Sequence, residues 1–163
     1  MDDYSRYIIH HELCSTMKSP DVMRNVDEAL KKTALKKHQR PKILSDNGPC
    51  YVSNEIREYM SSKNIKQVHG APMHPQTQGK IERYHRSMKN VVKLEHYYLF
   101  EDLKRAIDAF VEHYNSERYH ESLDNCTPAD VMFGRKSEIL KQRDIIKKES
   151  MKTRRLNHYR KSA

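Results

Sequence analysis

Apolar positions change their period several times along this chain, and each change marks an element. Arg6-Tyr-Ile-Ile-His-His-Glu-Leu13 is rich in β-branched and aromatic residues and predicts a strand. Ser19-Pro20 then reads as an N-cap followed by Pro in the first helical turn. Val22, Val26, Ala29, Leu30 and Thr33 recur at helical spacing, which predicts a helix to about Lys37. Lys42-Ile-Leu-Ser-Asp46 predicts a short strand, stopped by Asn47-Gly48-Pro49. Ser53 can cap a helix to about Ser62, with Ile56, Tyr59 and Met60 inward. Ile65-Lys-Gln-Val68 predicts another short strand, and a loop with Pro72 and Pro75 follows.

The second half of the chain reads as helices. A long helix is expected over roughly 76–96, with Ile81, Tyr84, Met88, Val91 and Val92 as its apolar stripe. Glu82, Arg86, Lys89 and Lys93 lie on a different face of it. Leu103, Ala106, Ile107, Phe110, Val111 and Tyr114 keep helical period over 101–117. Thr127-Pro128 opens a short helix that ends near Gly134, and 136–157 is helix-prone with a thin stripe of Ile139, Leu140, Ile145 and Ile146. Strands alternate with helices, which argues an α/β fold, although about three strands are few for a sheet.

Composition narrows the function classes. With 163 residues, 36% apolar and 33% charged, the chain has a modest core and a very polar surface. It has no run of about 18 apolar residues that would span a membrane, and its start resembles neither a signal nor a transit peptide, so a cytoplasmic location is expected. Cys14, Cys50 and Cys126 are far apart, which argues against a disulfide framework or a zinc finger. The net charge of +9 is uneven: residues 135–163 carry eleven Lys/Arg against three Asp/Glu, which is +8, leaving about +1 for the other 134 residues. A basic tail on a near-neutral body points to a polyanion partner.

Two carboxylates carry the candidate chemistry. Asp46 ends a strand ahead of a tight turn, in Ile43-Leu-Ser-Asp-Asn-Gly48. In open α/β sheets ligands sit at that end. Glu82 lies in His74-Pro-Gln-Thr-Gln-Gly-Lys-Ile-Glu-Arg-Tyr-His-Arg86, separated from Asp46 by thirty-five residues, among bases of one helix face. Alone, Asp46 could bond its own backbone in a turn, and Glu82 could form a plain helix ion pair. Together they can share a divalent cation, Mg2+ or Mn2+, because hard cations prefer anionic oxygen. Such sites clamp the attacking and leaving oxygens of phosphoryl transfer. The basic helix face would hold the phosphates of a nucleic-acid strand.

These segments resemble the catalytic core of DDE-type insertion-sequence transposases, the retroviral-integrase-like family with an RNase H-like fold. The resemblance rests on Ser45-Asp-Asn-Gly48, on 74–89 with the thirty-five-residue gap, and on Asp2-Asp-Tyr-Ser-Arg6. It extends to Tyr114-Asn-Ser-Glu-Arg-Tyr-His-Glu-Ser-Leu123 and Thr127-Pro-Ala129. It implies Asp46 and Glu82 as the second and third catalytic and metal-binding acids. Gln76, Gln78, Lys80, Arg83, Arg86, Lys89 and Lys93 become the candidate DNA contacts. The implied partners are transposon-end and target DNA and other copies of the transposase. In the family a first Asp lies on a strand ahead of the Asp-x-Tyr-Ser-Arg turn, and Asp2 and Asp3 match the turn instead. The expectation is therefore an integrase core lacking its first two strands, with an incomplete metal site and little activity alone. It would span 1–97, with a helical end of the core at 98–134 and a basic helical tail at 135–163. A bacterial, nucleoid-associated setting accompanies that reading. The alternative is a non-catalytic basic module that binds nucleic acid or a transposase multimer.

Overall fold

In the computed structural model of the chain, residues 1–70 and 79–162 are described. They divide into two compact units, Met1–Val111 and Glu112–Ala163, and the division falls within one helix.

The first unit begins with a turn. The Asp2 carboxylate accepts from the backbone N–H and the hydroxyl of Ser5, both at 2.7 Å, and the Asp2 N–H donates to the Tyr7 carbonyl at 2.8 Å. Residues 6–13, expected as a strand, have no regular secondary structure. β-Propensity describes how a side chain fits a pleated surface, and a strand forms only where a neighbour pairs with its backbone. The described sheet offers this segment no partner. The segment is held by side chains instead: Ile8 is buried, and His11 Nε2 lies 2.7 Å from Asp108 Oδ1.

Helix α1, Ser19–Thr33, starts one residue earlier than its Ser19 cap predicts, because Lys18 takes the N-cap position. It stops at Ala34 in the left-handed region, short of Lys37, and a single 3-10 turn, Lys37–Gln39, follows. Strand β1 is Ile43–Ser45. A short helix that the sequence pattern does not signal, α2, Pro49–Val52, leads into α3, Asn54–Ser62. The Ser53 hydroxyl accepts from the Ile56 N–H at 3.3 Å and caps α3 as expected. Strand β2 is Gln67–His69, shifted toward the C-terminus from the expected 65–68, because Ile65 turns inward to the core.

β1 and β2 pair in parallel, with Ile43 opposite Gln67, Leu44 opposite Val68 and Ser45 opposite His69. Parallel neighbours need a crossover connection, and here α2 and α3 supply it. Ile56, Met60 and Ile65 form the core of this crossover, with Val22, Met23, Val26, Leu30, Ile43 and Tyr59 packed around them. The apolar stripe of α1 thus closes on α3. The Tyr59 hydroxyl donates to the Met23 carbonyl at 3.0 Å, and Lys63 pairs with Asp27 at 2.7 Å.

Helix α4, Gly79–Val92, is shorter than the expected 76–96; residues 76–78 of that span lie outside the described residues. Tyr84 and Val92 are buried, while Val91, expected in the apolar stripe, is half exposed. Helix α5, Phe100–Ser116, runs as its period predicts, and its Phe110 ring lies 6.0 Å from that of Tyr84.

The second unit is built on a tight corner. His120 and Cys126 form an antiparallel bridge around the 3-10 turn Glu121–Leu123, with Asp124 and Asn125 both at positive φ. Thr127 and Asp130 form a capping box that starts α6, Pro128–Met132. Helix α7 covers Lys136–Ser162. Ile139 and Leu140 pack on Leu123, Cys126 and Val131, but Ile145 and Ile146 are mostly exposed, so the expected apolar stripe serves only the first turns. Among the described residues no helix is long and apolar enough to cross a membrane.

Ile56 is fully buried at the crossover. Ile56→Ala should therefore destabilise the protein by about 2–5 kcal/mol in urea unfolding, through lost transfer energy and a cavity. Two carboxyls add a pH dependence. The Lys63 ammonium holds Asp27 below its ordinary 3.8. Burial pushes Asp130 up, but hydrogen bonds from Thr127 and the Arg135 guanidinium outweigh it, so Asp130 also lies below 3.8. A depressed carboxyl contributes stability that is present above its unfolded value and is lost as pH falls through its folded one. Circular dichroism during acid titration should show stability falling below about pH 4. Asp27→Asn and Asp130→Asn should each flatten that limb.

Candidate active site and basic helix face

The parallel register determines what surrounds Asp46. Ser45 lies opposite His69, so Asp46 and Gly70 leave the sheet at the same edge. The pairing continues past the strands: the Gly70 N–H donates to the Ser45 carbonyl at 3.1 Å, and the Asn47 amide donates to the Gly70 carbonyl at 3.2 Å. The Asp46 side chain is exposed there. Its Oδ1 accepts from the Gly48 N–H at 2.9 Å, an Asx turn that fixes one carboxylate oxygen.

Gly48 has φ −60°, which any residue adopts, so the demand for glycine is one of space. A Cβ there would lie 2.9 Å from Asp46 Oδ1, closer than carbon and oxygen tolerate. The Ser-Asp-Asn-Gly motif thus reads as one device: Asn47 ties the turn to the neighbouring strand, and Gly48 leaves room for the carboxylate.

His69 is a neighbour that sequence reasoning missed. Its Nδ1 lies 3.2 Å from the Asp46 carbonyl and 3.3 Å from Ser45 Oγ. A carbonyl only accepts, so the Nδ1–H tautomer makes the Asp46 contact. Only the strand register brings His69 to Asp46, so no local motif could have revealed it. Tyr51 is half-buried beside the turn; burial, with Cys50 and Asp46 nearby, pushes its hydroxyl up from the ordinary value. The Gln67 amide donates to the Tyr51 carbonyl at 2.8 Å and to Ser45 Oγ at 3.3 Å, binding the crossover to the strand end.

Glu82 sits in the first turn of α4, exposed, where the positive end of the helix dipole favours a carboxylate. Arg83, Arg86 and Lys89 are exposed along the same helix, and Lys93 is exposed just beyond its end. Lys80 is different. Its ammonium is 2.6 Å from the Asp3 carboxylate and 3.0 Å from the Asp3 carbonyl, so it ties α4 to the first turn of the chain. Asp2 and Asp3 are thus both engaged, one in its own turn and one with Lys80. Gln76 and Gln78 lie outside the described residues. Among the described residues no three or more His, Cys, Asp or Glu side chains gather where they could hold a metal ion. Asp46 and Glu82 have the hard-oxygen chemistry that Mg2+ or Mn2+ takes.

Comparison with known proteins gives this geometry a family. Two models described as integrase core domain match the chain, one over residues 1–75 and one over 63–128. The chain has an integrase-like core. A stretch of 51 residues is 45% identical to the Gag-Pro-Pol polyprotein of Simian retrovirus SRV-2, covering 31% of this chain and 3% of the polyprotein. A stretch of 48 residues is 44% identical to the corresponding polyprotein of Mouse mammary tumor virus (strain BR6), covering 29% of this chain and 3% of that one. The chain thus spans a small fraction of the curated relatives it matches.

Solved structures agree on the fold of the integrase-like core. The crystal structure of the BIV integrase catalytic core domain superposes with a TM-score of 0.60 at 20% identity, over 85% of this chain and 84% of that one. The HTLV-2 integrase catalytic core domain in complex with magnesium, in a dimeric form, gives 0.53 at 20% identity, over 73% and 72%. The architecture is that of an RNase H-like integrase core with a helical extension, here with a two-stranded parallel sheet among the described residues.

Gly48→Ala tests the steric link to Asp46. Circular dichroism and thermal unfolding should stay near wild type, because Gly48 has an ordinary φ. Mn2+-induced relaxation broadening of the Asp46 and Asn47 amide signals should fall, as the carboxylate is pushed from its place. Unchanged broadening would mean that Gly48 does not set the carboxylate.

Proposed function

We propose that this chain acts in DNA integration, with Asp46 and Glu82 as two carboxylates of a metal-dependent strand-transfer site of the insertion-sequence transposase type. The observation that carries the reading is Asp46. It stands at the carboxyl edge of the parallel pair, in a turn whose glycine is kept free for its oxygen. The integrase-core matches over 1–75 and 63–128 support it.

Asp46 and Glu82 would hold Mg2+ or Mn2+. When bound, such a cation polarises the phosphate and stabilises the charge developing on its oxygens. The residues of the chain do the rest. Arg83, Arg86, Lys89 and Lys93 neutralise and position the phosphates of the bound strand. A DNA 3′-hydroxyl then attacks a phosphorus atom of the target: a new phosphodiester bond forms, the old one breaks, and the released 3′-oxygen takes up a proton. Lys80, engaged with Asp3, steadies the start of α4 and hence Glu82, and does not contact DNA in this reading. In this reading a further carboxylate completes the site with Asp46 and Glu82. Partner DNA comprises element ends and target, and further copies of the chain assemble on it. Relatives of the fold in dimeric and trimeric forms and in an intasome support that assembly. A bacterial cytoplasm beside the nucleoid suits such partners.

The test is a Mg2+- or Mn2+-dependent strand-transfer assay on element-end DNA. The chain alone should turn over slowly, and a polypeptide supplying the first-strand Asp should restore the rate. Asp46→Asn and Glu82→Gln should each return the restored activity to background with DNA affinity retained. Robust turnover that survives both substitutions would overturn the assignment, and a restored rate with Asp46→Asn intact would remove Asp46 from the site.

A further inference from the structure

Helix α7 is two structures in one. Its first turns are docked. Ile139 and Leu140 pack on the Leu123, Cys126 and Val131 cluster. Lys136 pairs with Asp124 at 2.7 Å. The Arg143 guanidinium donates to the carbonyls of Asp124 at 3.1 Å and Asn125 at 3.0 Å, and it lies over the Tyr119 ring. Arg143 thus reads the left-handed corner at 124–125 and clamps the helix base to it. Beyond Arg143 the helix continues to Ser162, and every side chain from Met151 to Arg160 is exposed. This arm is about 28 Å long at about 1.5 Å per residue.

The arm is one-sided. At about 100° per residue, Lys147, Lys148, Lys152, Arg154, Arg155 and His158 fall within an arc of roughly 160°. Asp144 lies at the middle angle of that arc but at the base of the arm, where Lys148 neutralises it at 2.7 Å. Glu149 and Arg160 lie on the opposite side. Among the described residues, Lys147, Lys152, Arg154 and Arg155 form no ion pair. A helix that needed these charges only for solubility would have no reason to segregate them. Like charges three and four residues apart also destabilise a helix by a few tenths of a kcal/mol each. A polyanion laid along the face removes that repulsion.

We infer that this arm is a second DNA-binding element, which lays its basic face along the phosphates of duplex DNA. An α-helix is about 10–12 Å across with its side chains, and the B-form major groove is about 12 Å wide. The deep, narrow major groove of A-form RNA does not admit a helix. The arm's two rings beyond Arg143, the adjacent His158 and Tyr159, are too few for a single-strand stacking platform. Charge and shape together select duplex DNA. The inference uses neither Asp46 nor Glu82 and stands on the second unit alone.

The experiment measures binding of the full chain to a fluorescein-labelled duplex of about two helical turns by anisotropy, across about 50–200 mM salt. Replacing Lys147, Lys152, Arg154 and Arg155 together by Gln should weaken binding by about tenfold or more and reduce the salt slope by about 3 to 4, since each phosphate contact contributes about 0.9. Gln resembles Lys and Arg in helix propensity, so circular dichroism should be unchanged. Lys147→Arg with Lys152→Arg should keep wild-type affinity, and Arg160→Gln, off the face, should change it little. The assay contains no divalent cation, so its outcome is separate from failure of the catalytic reading. An unaltered salt slope in the four-Gln variant, equal wild-type affinity for an A-form RNA duplex, or a loss in Arg160→Gln as large per charge would each overturn the proposal.

Discussion

The parallel pairing of β1 with β2 is the constraint on which the first unit depends. Three residues on each side, Ile43 to Ser45 and Gln67 to His69, determine which side chains share an edge. Two parallel strands cannot be joined by a hairpin, so the chain must leave the sheet, cross and return. The crossover buries Ile56, Met60 and Ile65, and α1 closes over them. A pair this short offers few ladder hydrogen bonds. Its stability therefore comes from that packing and from bonds at the strand end: Gly70 to Ser45, Asn47 to Gly70, and Gln67 to Tyr51 and Ser45. The same bonds fix the backbone that carries Asp46. Holding the sheet together and presenting the carboxylate are one piece of chemistry.

Charge is distributed in the same economical way. Several acids are engaged by partners within the fold: Asp27 by Lys63, the exposed Asp3 by Lys80, Asp130 by Thr127 and Arg135. Asp46 and Glu82 are the acids that stand exposed at an edge and on a basic helix face. Outward-facing bases concentrate on α4 and on the distal part of α7. Both units thus present exposed positive side chains, the kind of surface that attracts polyanions.

Much of this was legible in the chain. Helical period located α1, α3, α5 and α6, and Ser53 and Thr127 marked two helix starts, because capping is local chemistry. The Ser-Asp-Asn-Gly and Gln-Gly-Lys-Ile-Glu segments pointed to an integrase-like core, and the family matches agree. What stayed hidden depends on partners distant in sequence. Arg6 to Leu13 has the residues of a strand but no strand beside it among the described residues, and Ile8 and His11 hold it instead. Lys80 looked like one more base of a DNA-facing helix until the fold set Asp3 against it, seventy-seven residues away. α2 carries no apolar period, since four residues are too few to show one.

By itself, the sequence determined element types, caps, the charge of each segment and the two acids in their motifs, all of which depend on residues within a few positions of one another. Tertiary structure alone decided which acids remain exposed, that His69 reaches the Asp46 carbonyl, and that α7 is docked only as far as Arg143. The reason is physical. Local propensity is paid residue by residue along the chain, whereas register, burial and ion pairing are set by contacts across it, and a shift of one residue in β2 would have presented a different side chain to Asp46.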